Sequence, residues 1–159
     1  MEEITPERLN RLYKNLTDIS EAQELRLFDE KIAKINNLNL VPRIKSLNLS
    51  YNQIAEIEGL KHCPELKEVN LSHNKITSVS SFAFEKNKLI TNLDLSHNHI
   101  EKFAASSIFL KLQVLNIEYN KLTSIEFIGN CKELRILNIS NNKIKRIDPV
   151  DYLTKVTEC

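Results

Sequence analysis

The sequence predicts an α/β solenoid with a parallel sheet on its concave side, irregular or 3₁₀ turns on its convex side and an N-terminal helical cap. Three observations carry that expectation. One phrase recurs in register: AQELRLFDEKI (22–32), IKSLNLSYNQI (44–54), LKEVNLSHNKI (66–76), ITNLDLSHNHI (90–100), LQVLNIEYNKL (112–122) and LRILNISNNKI (134–144). Its starts are 22 residues apart, except for one two-residue insertion placed within SSFAFEKNK (80–88). Inside each copy the apolar spacing changes from two residues to three, the signature of a short strand followed by a tight turn. A fixed period of this length marks stacked units that bury their apolar sides only against one another.

Residues 1–18 form the expected capping helix. Thr5-Pro6-Glu7 supplies an N-cap hydroxyl, a proline at the first helical position and an acid near the positive end of the dipole. Leu9, Leu12, Tyr13 and Leu16 follow as an apolar stripe that would lie over the first repeat.

Residues 19–147 hold six repeats. Counting from the first residue of each phrase, slots four and six point inward (Leu47 and Leu49, Leu71, Leu93 and Leu95, Leu115, Leu137), while slots three, five and seven point outward. Slot nine holds Asn52, Asn74, Asn98, Asn120 and Asn142, each placed to satisfy backbone groups that a turning chain leaves unpaired. Glu30 fills that slot in the first copy, so the first repeat is expected to be irregular. Slots eleven and fourteen carry Ile, Leu, Val or Phe, ending with Ile144 and Ile147, and return the chain along the convex side. Slot twenty reads as apolar: Val41, Cys63, Phe109 and Cys131. In residues 148–159, Asp148-Pro149 can open a turn, and the same phase puts Val156 and Cys159 in slots one and four of a seventh copy. This segment reads as the start of a seventh repeat or a truncated C-terminal cap, so the chain is expected to be a fragment or a module of a larger protein.

The phrase LxxLxLxxNxL, in six copies over roughly residues 19–156, resembles the leucine-rich repeat proteins. The 22-residue period and the IxxIxxL spacing are similar to the short intracellular class typified by phosphatase-regulating repeat proteins. The acidic-Thr helix before the first repeat resembles the start of the spliceosomal A-prime protein and of ciliary dynein-assembly proteins. The resemblance implies a scaffold or regulatory subunit that binds a protein partner on its concave face. The alternatives are a nuclear ribonucleoprotein component and a structural module of a longer multidomain protein. Family likeness supports only the class of function, because this fold hosts many partners.

Composition narrows the field. Lys and Arg number 22 against 21 Asp and Glu, and neither half of the chain is strongly biased. That balance argues against direct binding of nucleic acid or of an anionic membrane. No apolar run approaches the ~18 residues of a membrane span, and MEEITPERLN has no secretory h-region. Three cysteines without framework spacing suggest a reducing compartment, so the expected location is intracellular and cytoplasmic, with nucleus or cilium and cytoskeleton as options. Asn15, Asn48, Asn70 and Asn138 stand in N-x-[ST] sequons that such a compartment leaves unused.

The candidate site is the inner surface. Slot eight runs Tyr51, His73, His97, Tyr119, a column of flat amphipathic rings suited to a protein partner. Ring stacking along the ladder with no partner is the competing reading. Slot five adds Asn48, Asn70, Asp94, Asn116 and Asn138, a polar carpet. Slot three ends in Val114 and Ile136, exposed β-branched residues on the last two strands that form a small apolar spot. His73 and His97, on neighbouring strands about 4.8 Å apart, invite a metal reading with His99 or His62 as a third ligand. A catalytic zinc needs three protein ligands, and His99 lies past the bend while His62 lies in a connection, so no metal or other cofactor is expected. No phosphate loop, HExxH or GxSxG occurs, so no enzymatic activity is expected either. Oligomeric state is left open.

Overall fold

The computed structural model describes residues 2–104 and 109–145. The expectations for Ile147, for Asp148-Pro149 and for the seventh copy lie outside the described residues.

Each phrase contributes one short strand: β2 (Glu24–Arg26), β4 (Ser46–Asn48), β5 (Glu68–Asn70), β7 (Asn92–Asp94), β9 (Val114–Asn116) and β10 (Ile136–Asn138). They form a six-stranded sheet in the order β10-β9-β7-β5-β4-β2. Every pair is parallel and in register, slot against slot, for example Leu47 with Val69 and Val69 with Leu93. Equal repeat lengths fix that register, because the insertion falls outside the strands. The inward residues of slots four and six are buried from Leu25 and Leu27 to Leu137, and Ile139 at the last strand is half-buried. Each fully buried aliphatic side chain contributes about 1.5–3 kcal/mol against conformational entropy.

The convex side is irregular, as expected. Three-residue 3₁₀ turns occupy Leu38–Leu40 and Leu60–His62, and a longer one spans Glu126–Asn130. Elsewhere the return segment is extended: β6 (Ser78–Val79) pairs in parallel with β8 (Lys102–Phe103). The insertion is taken up in turns over 81–86, and Phe84, Phe103, Phe109 and Phe127 fill the widened space with ring centroids 4.0–6.0 Å apart. One glycine is obligatory. Gly59 has φ +75°, and a Cβ there would stand 2.6 Å from the Ile35 carbonyl oxygen.

The slot-nine asparagines stitch the coils together. Asn74 Nδ2 donates to the carbonyls of Leu49 (3.0 Å), Leu71 (3.0 Å) and Ser72 (3.1 Å). Its Oδ1 accepts from the Ile54 N–H at 3.0 Å. Asn98 and Asn120 repeat the scheme one and two coils on. The reach is backward, so Asn52 serves the first repeat through Leu27, Glu30 and Ile32. That repeat is irregular, with positive φ at both Asp29 and Lys31. Glu30 turns out to meet Arg8 at 3.4 Å.

The N-terminal cap departs from expectation. Helix α1 (Pro6–Leu12) starts where predicted, with Thr5 Oγ accepting from the Arg8 N–H at 3.2 Å. It ends after two turns, however, so Leu16 falls off the stripe, and both Leu12 and Leu16 are exposed while Leu9 alone is fully buried. The Tyr13 hydroxyl donates to the Glu24 carbonyl, and burial with Glu24 nearby pushes its pKa up to about 12. The remaining cover comes from strand β1 (Glu2–Glu3), which pairs with β3 (Ile32–Lys34) and drives Ile4 into the core. No helix among the described residues is long and apolar enough to cross a membrane.

Candidate functional site

The concave floor is built from slot five outward. Asn70 Oδ1 accepts from the N–H (2.9 Å) and hydroxyl (2.7 Å) of Ser72, two residues on. Asn48 does the same with Ser50, Asp94 with Ser96 and Asn138 with Ser140, while Asn116 accepts from the Glu118 N–H. A backbone N–H can only donate, so the inner atom of each amide is its oxygen and the outer arm is Nδ2. At Asp94 the outer arm is a carboxylate oxygen instead.

These bonds correct the reading of slot seven. Ser50, Ser72 and Ser96 are buried, at 4–6% exposure, because the hydroxyl folds back onto slot five rather than facing solvent. Only Phe28 at one end and Ser140 at the other are exposed in that slot, with Glu118 between the extremes.

Slots three and five of the last five strands, with Arg26 alone from β2, frame a groove of about 620 Å³. Arg26, at its N-terminal end, pairs with Glu24 at 2.8 Å. Glu68 and Asp94 face the groove from adjacent strands, diagonally placed because Glu68 pairs with Asn92 and Asn70 with Asp94. Val114 and Ile136 stand opposite each other in register, and Ile136 is 38% exposed. The two expected apolar residues are thus neighbours, but Val114 is half-buried and not exposed as expected.

The slot-eight rings stand along one border of this groove, at the ends of the strands, and do not line it. They stack continuously: Tyr51 on His73 at 4.0 Å, His73 on His97 at 4.1 Å and His97 on Tyr119 at 4.4 Å, with interplanar angles of 10–13°. Every slot-eight residue has a left-handed backbone, Asp29 and Asn141 at the ends included, with φ between 50° and 56°. Asn, Asp and His are enriched in that region, whereas Tyr is an unusual choice. Tyr51 is nonetheless 56% and Tyr119 49% exposed. The His73 pKa is lowered, by loss of hydration first and by His97 second, with Asp94 opposing. His99 is turned away, its Nδ1 2.9 Å from the Asn98 carbonyl oxygen. Among the described residues no three His, Cys, Asp or Glu side chains gather as a metal site.

One buried polar residue escaped the sequence reading. Counting back from the next phrase puts Asn87 in slot twenty of the insertion-bearing repeat, so that slot is not uniformly apolar. Asn87 is fully buried, and its Nδ2 donates to the carbonyls of Leu60 (2.9 Å) and Cys63 (2.8 Å). The Cys63 thiol meets the equivalent carbonyls of Leu38 and Val41 one coil earlier, both at 3.6 Å. In these two copies slot twenty serves the 3₁₀ carbonyls of the preceding coil. Cys63 and Cys131 are buried free thiols whose pKa is pushed up to about 12 by burial, so they act as core and not as nucleophiles.

The family model for leucine-rich repeats in two copies matches residues 42–84 and 110–152, and a second leucine-rich repeat model matches 64–122. No curated protein matches. Among solved structures, a leucine-rich repeat protein of Leptospira interrogans aligns over 99% of this chain and 40% of its own, at 25% identity and a TM-score of 0.78. The functional domain of InlJ from Listeria monocytogenes, which includes a cysteine ladder, aligns over 88% of this chain and 35% of its own, at 23% identity and a TM-score of 0.60. The chain therefore spans less than half the length of either structure. Leucine-rich repeats are commonly protein-interaction modules, and the fold is typically a non-enzymatic scaffold. With its first model matched over more than half of its residues, and with the ladder and sheet described above, this chain belongs to the leucine-rich repeat family.

Proposed function

We propose that the chain is a protein-interaction scaffold or regulatory subunit whose partner docks on the concave face, against the Tyr51–His73–His97–Tyr119 border, with Val114 and Ile136 contributing. The observation that carries this reading is the choice of rings at slot eight. The turn asks only for a residue that tolerates positive φ, and Asp29 and Asn141 meet that demand in the end coils. Four consecutive aromatic rings there, with the two tyrosines about half exposed, are more than the turn requires. Broad, rigid rings beside a polar floor suit a protein surface, because they offer contact area at low entropic cost.

The test is site-specific crosslinking in a lysate. A photoreactive residue at Asn92 should capture a discrete partner, one at Lys61 on the convex return should not, and the variant Tyr51→Ala/His97→Ala/Tyr119→Ala should abolish the Asn92 adduct. Equal capture from Lys61, or an adduct untouched in the folded triple variant, overturns the reading.

A further inference from the structure

The groove floor carries a chemical pattern that narrows the partner. We propose that the concave groove binds a peptide segment in the polyproline-II conformation in which a Lys or Arg lies three residues from an apolar side chain. The inference rests on the concave-face reading above and adds the chemistry of what lies there.

Four outer arms of slot five are alike. Asn48, Asn70, Asn116 and Asn138 each have Oδ1 occupied from within, so each presents an amide donor to the groove. Such a row suits the carbonyl oxygens of a peptide backbone. Asp94 breaks the row with an anion in its centre. Glu68 supplies a second carboxylate from the adjacent strand. The centre therefore carries two carboxylates, and the one cation among the described residues that line the groove, Arg26, lies on β2, two strands from Glu68, and pairs with Glu24. A cationic side chain is the complement, and nucleic acid or an anionic lipid surface is repelled.

Beside this seat the character changes. Val114 and Ile136 are in register on β9 and β10, the next two strands along the solenoid axis. The midpoint of Glu68 and Asp94 lies two strand spacings from that of Val114 and Ile136, or about 10 Å. A polyproline-II chain rises about 3.1 Å per residue and returns to the same face every third residue, so side chains three residues apart span the gap and both face the floor. Close charge pairs give orientation, and a desolvated apolar contact beside them gives affinity.

Random decapeptides displayed on phage and selected on the full chain provide the test. Selected peptides should share a Lys or Arg three residues from Val, Ile, Leu, Met or Phe. Fluorescence anisotropy on one such peptide should then show about tenfold or greater weakening with Asp94→Asn/Glu68→Gln and a similar loss with Val114→Ser/Ile136→Thr. Asp94→Asn keeps the Ser96 bonds by copying Asn70, so a folded variant is expected, and circular dichroism checks it. Enrichment of acidic peptides, no enrichment, or affinity unchanged in both folded variants overturns the proposal. Peptides of other chemistry that crosslink to position 92 refute the basic–apolar rule and leave the concave reading standing. Basic–apolar peptides that crosslink only at position 61 refute both.

Discussion

His73 and Asn74 are neighbours in one turn, and the chain treats them in opposite ways. On the inside of the turn, slot nine is Asn in all five later copies, buried or nearly so, with both arms bonded to two coils. On the outside, slot eight is Asp, Tyr, His, His, Tyr and Asn in order, under one backbone constraint and with no bond that demands a particular side chain. The inner position is dictated by a buried N–H that it alone satisfies, as at Ile54, and by carbonyls shared between successive asparagines. The outer position is dictated only by φ, so its chemistry is free to serve something else. Uniformity here marks the fold, and variety marks the surface.

The comparison breaks most visibly at Asn74. Asn74→Ala removes the acceptor of the buried Ile54 N–H and one of the two donors at each of the Leu49, Leu71 and Ser72 carbonyls, which keep Asn52, Asn98 and the Tyr51 N–H. One buried N–H left unpaired together with three shared hydrogen bonds lost should cost about 3 kcal/mol or more, read as a lower midpoint in urea denaturation. Gly59→Ala is the convex counterpart. Positive φ together with the collision at the Ile35 carbonyl should cost about 1–3 kcal/mol in the same assay. Loss of less than half a kcal/mol would mean that the return segment adjusts freely.

A smaller effect sharpens the outer side. Because the His73 pKa is lowered in the folded chain, the folded state takes up a proton less readily than the unfolded state. The stability this contributes is fully present above the ordinary value of about 6.5 and is lost as pH falls below it. The melting temperature should therefore drop more between pH 7.5 and pH 5.5 in the natural chain than in His73→Asn. Equal drops would show that the stacked ring is indifferent to its charge.

Slots four, six and nine were legible because burial and hydrogen bonding permit few residue types there, and six copies repeat the choice. Slot seven was misread because Ser looks like a surface filler, and only the fold reveals that its hydroxyl closes onto Asn48, Asn70 or Asp94 two residues before. Asn87 was hidden by the insertion, although counting backward from Ile90 would have found it. The β1–β3 pairing left no trace, since backbone hydrogen bonds between Glu2–Glu3 and Ile32–Lys34 need no particular side chain. Helix α1 was placed correctly at its start, where Thr5 and Pro6 act locally, and overextended at its end, where tertiary packing decides. Slot eight was picked out by its aromatic run, and its stacking followed from the strand register, but the left-handed backbone beneath it was not apparent from residue types.

The most direct test of the division between inner and outer positions is equilibrium denaturation of Tyr51→Asn/His73→Asn/His97→Asn/Tyr119→Asn. Three lost ring contacts at about 0.5–1.5 kcal/mol each should be largely offset by relief of left-handed strain of about 1 kcal/mol per residue. A change within about 1 kcal/mol of the natural chain is the predicted result. A loss of about 3 kcal/mol or more, equal to that of Asn74→Ala, would show that the rings hold the fold together and contradict the assignment of slot eight to a partner.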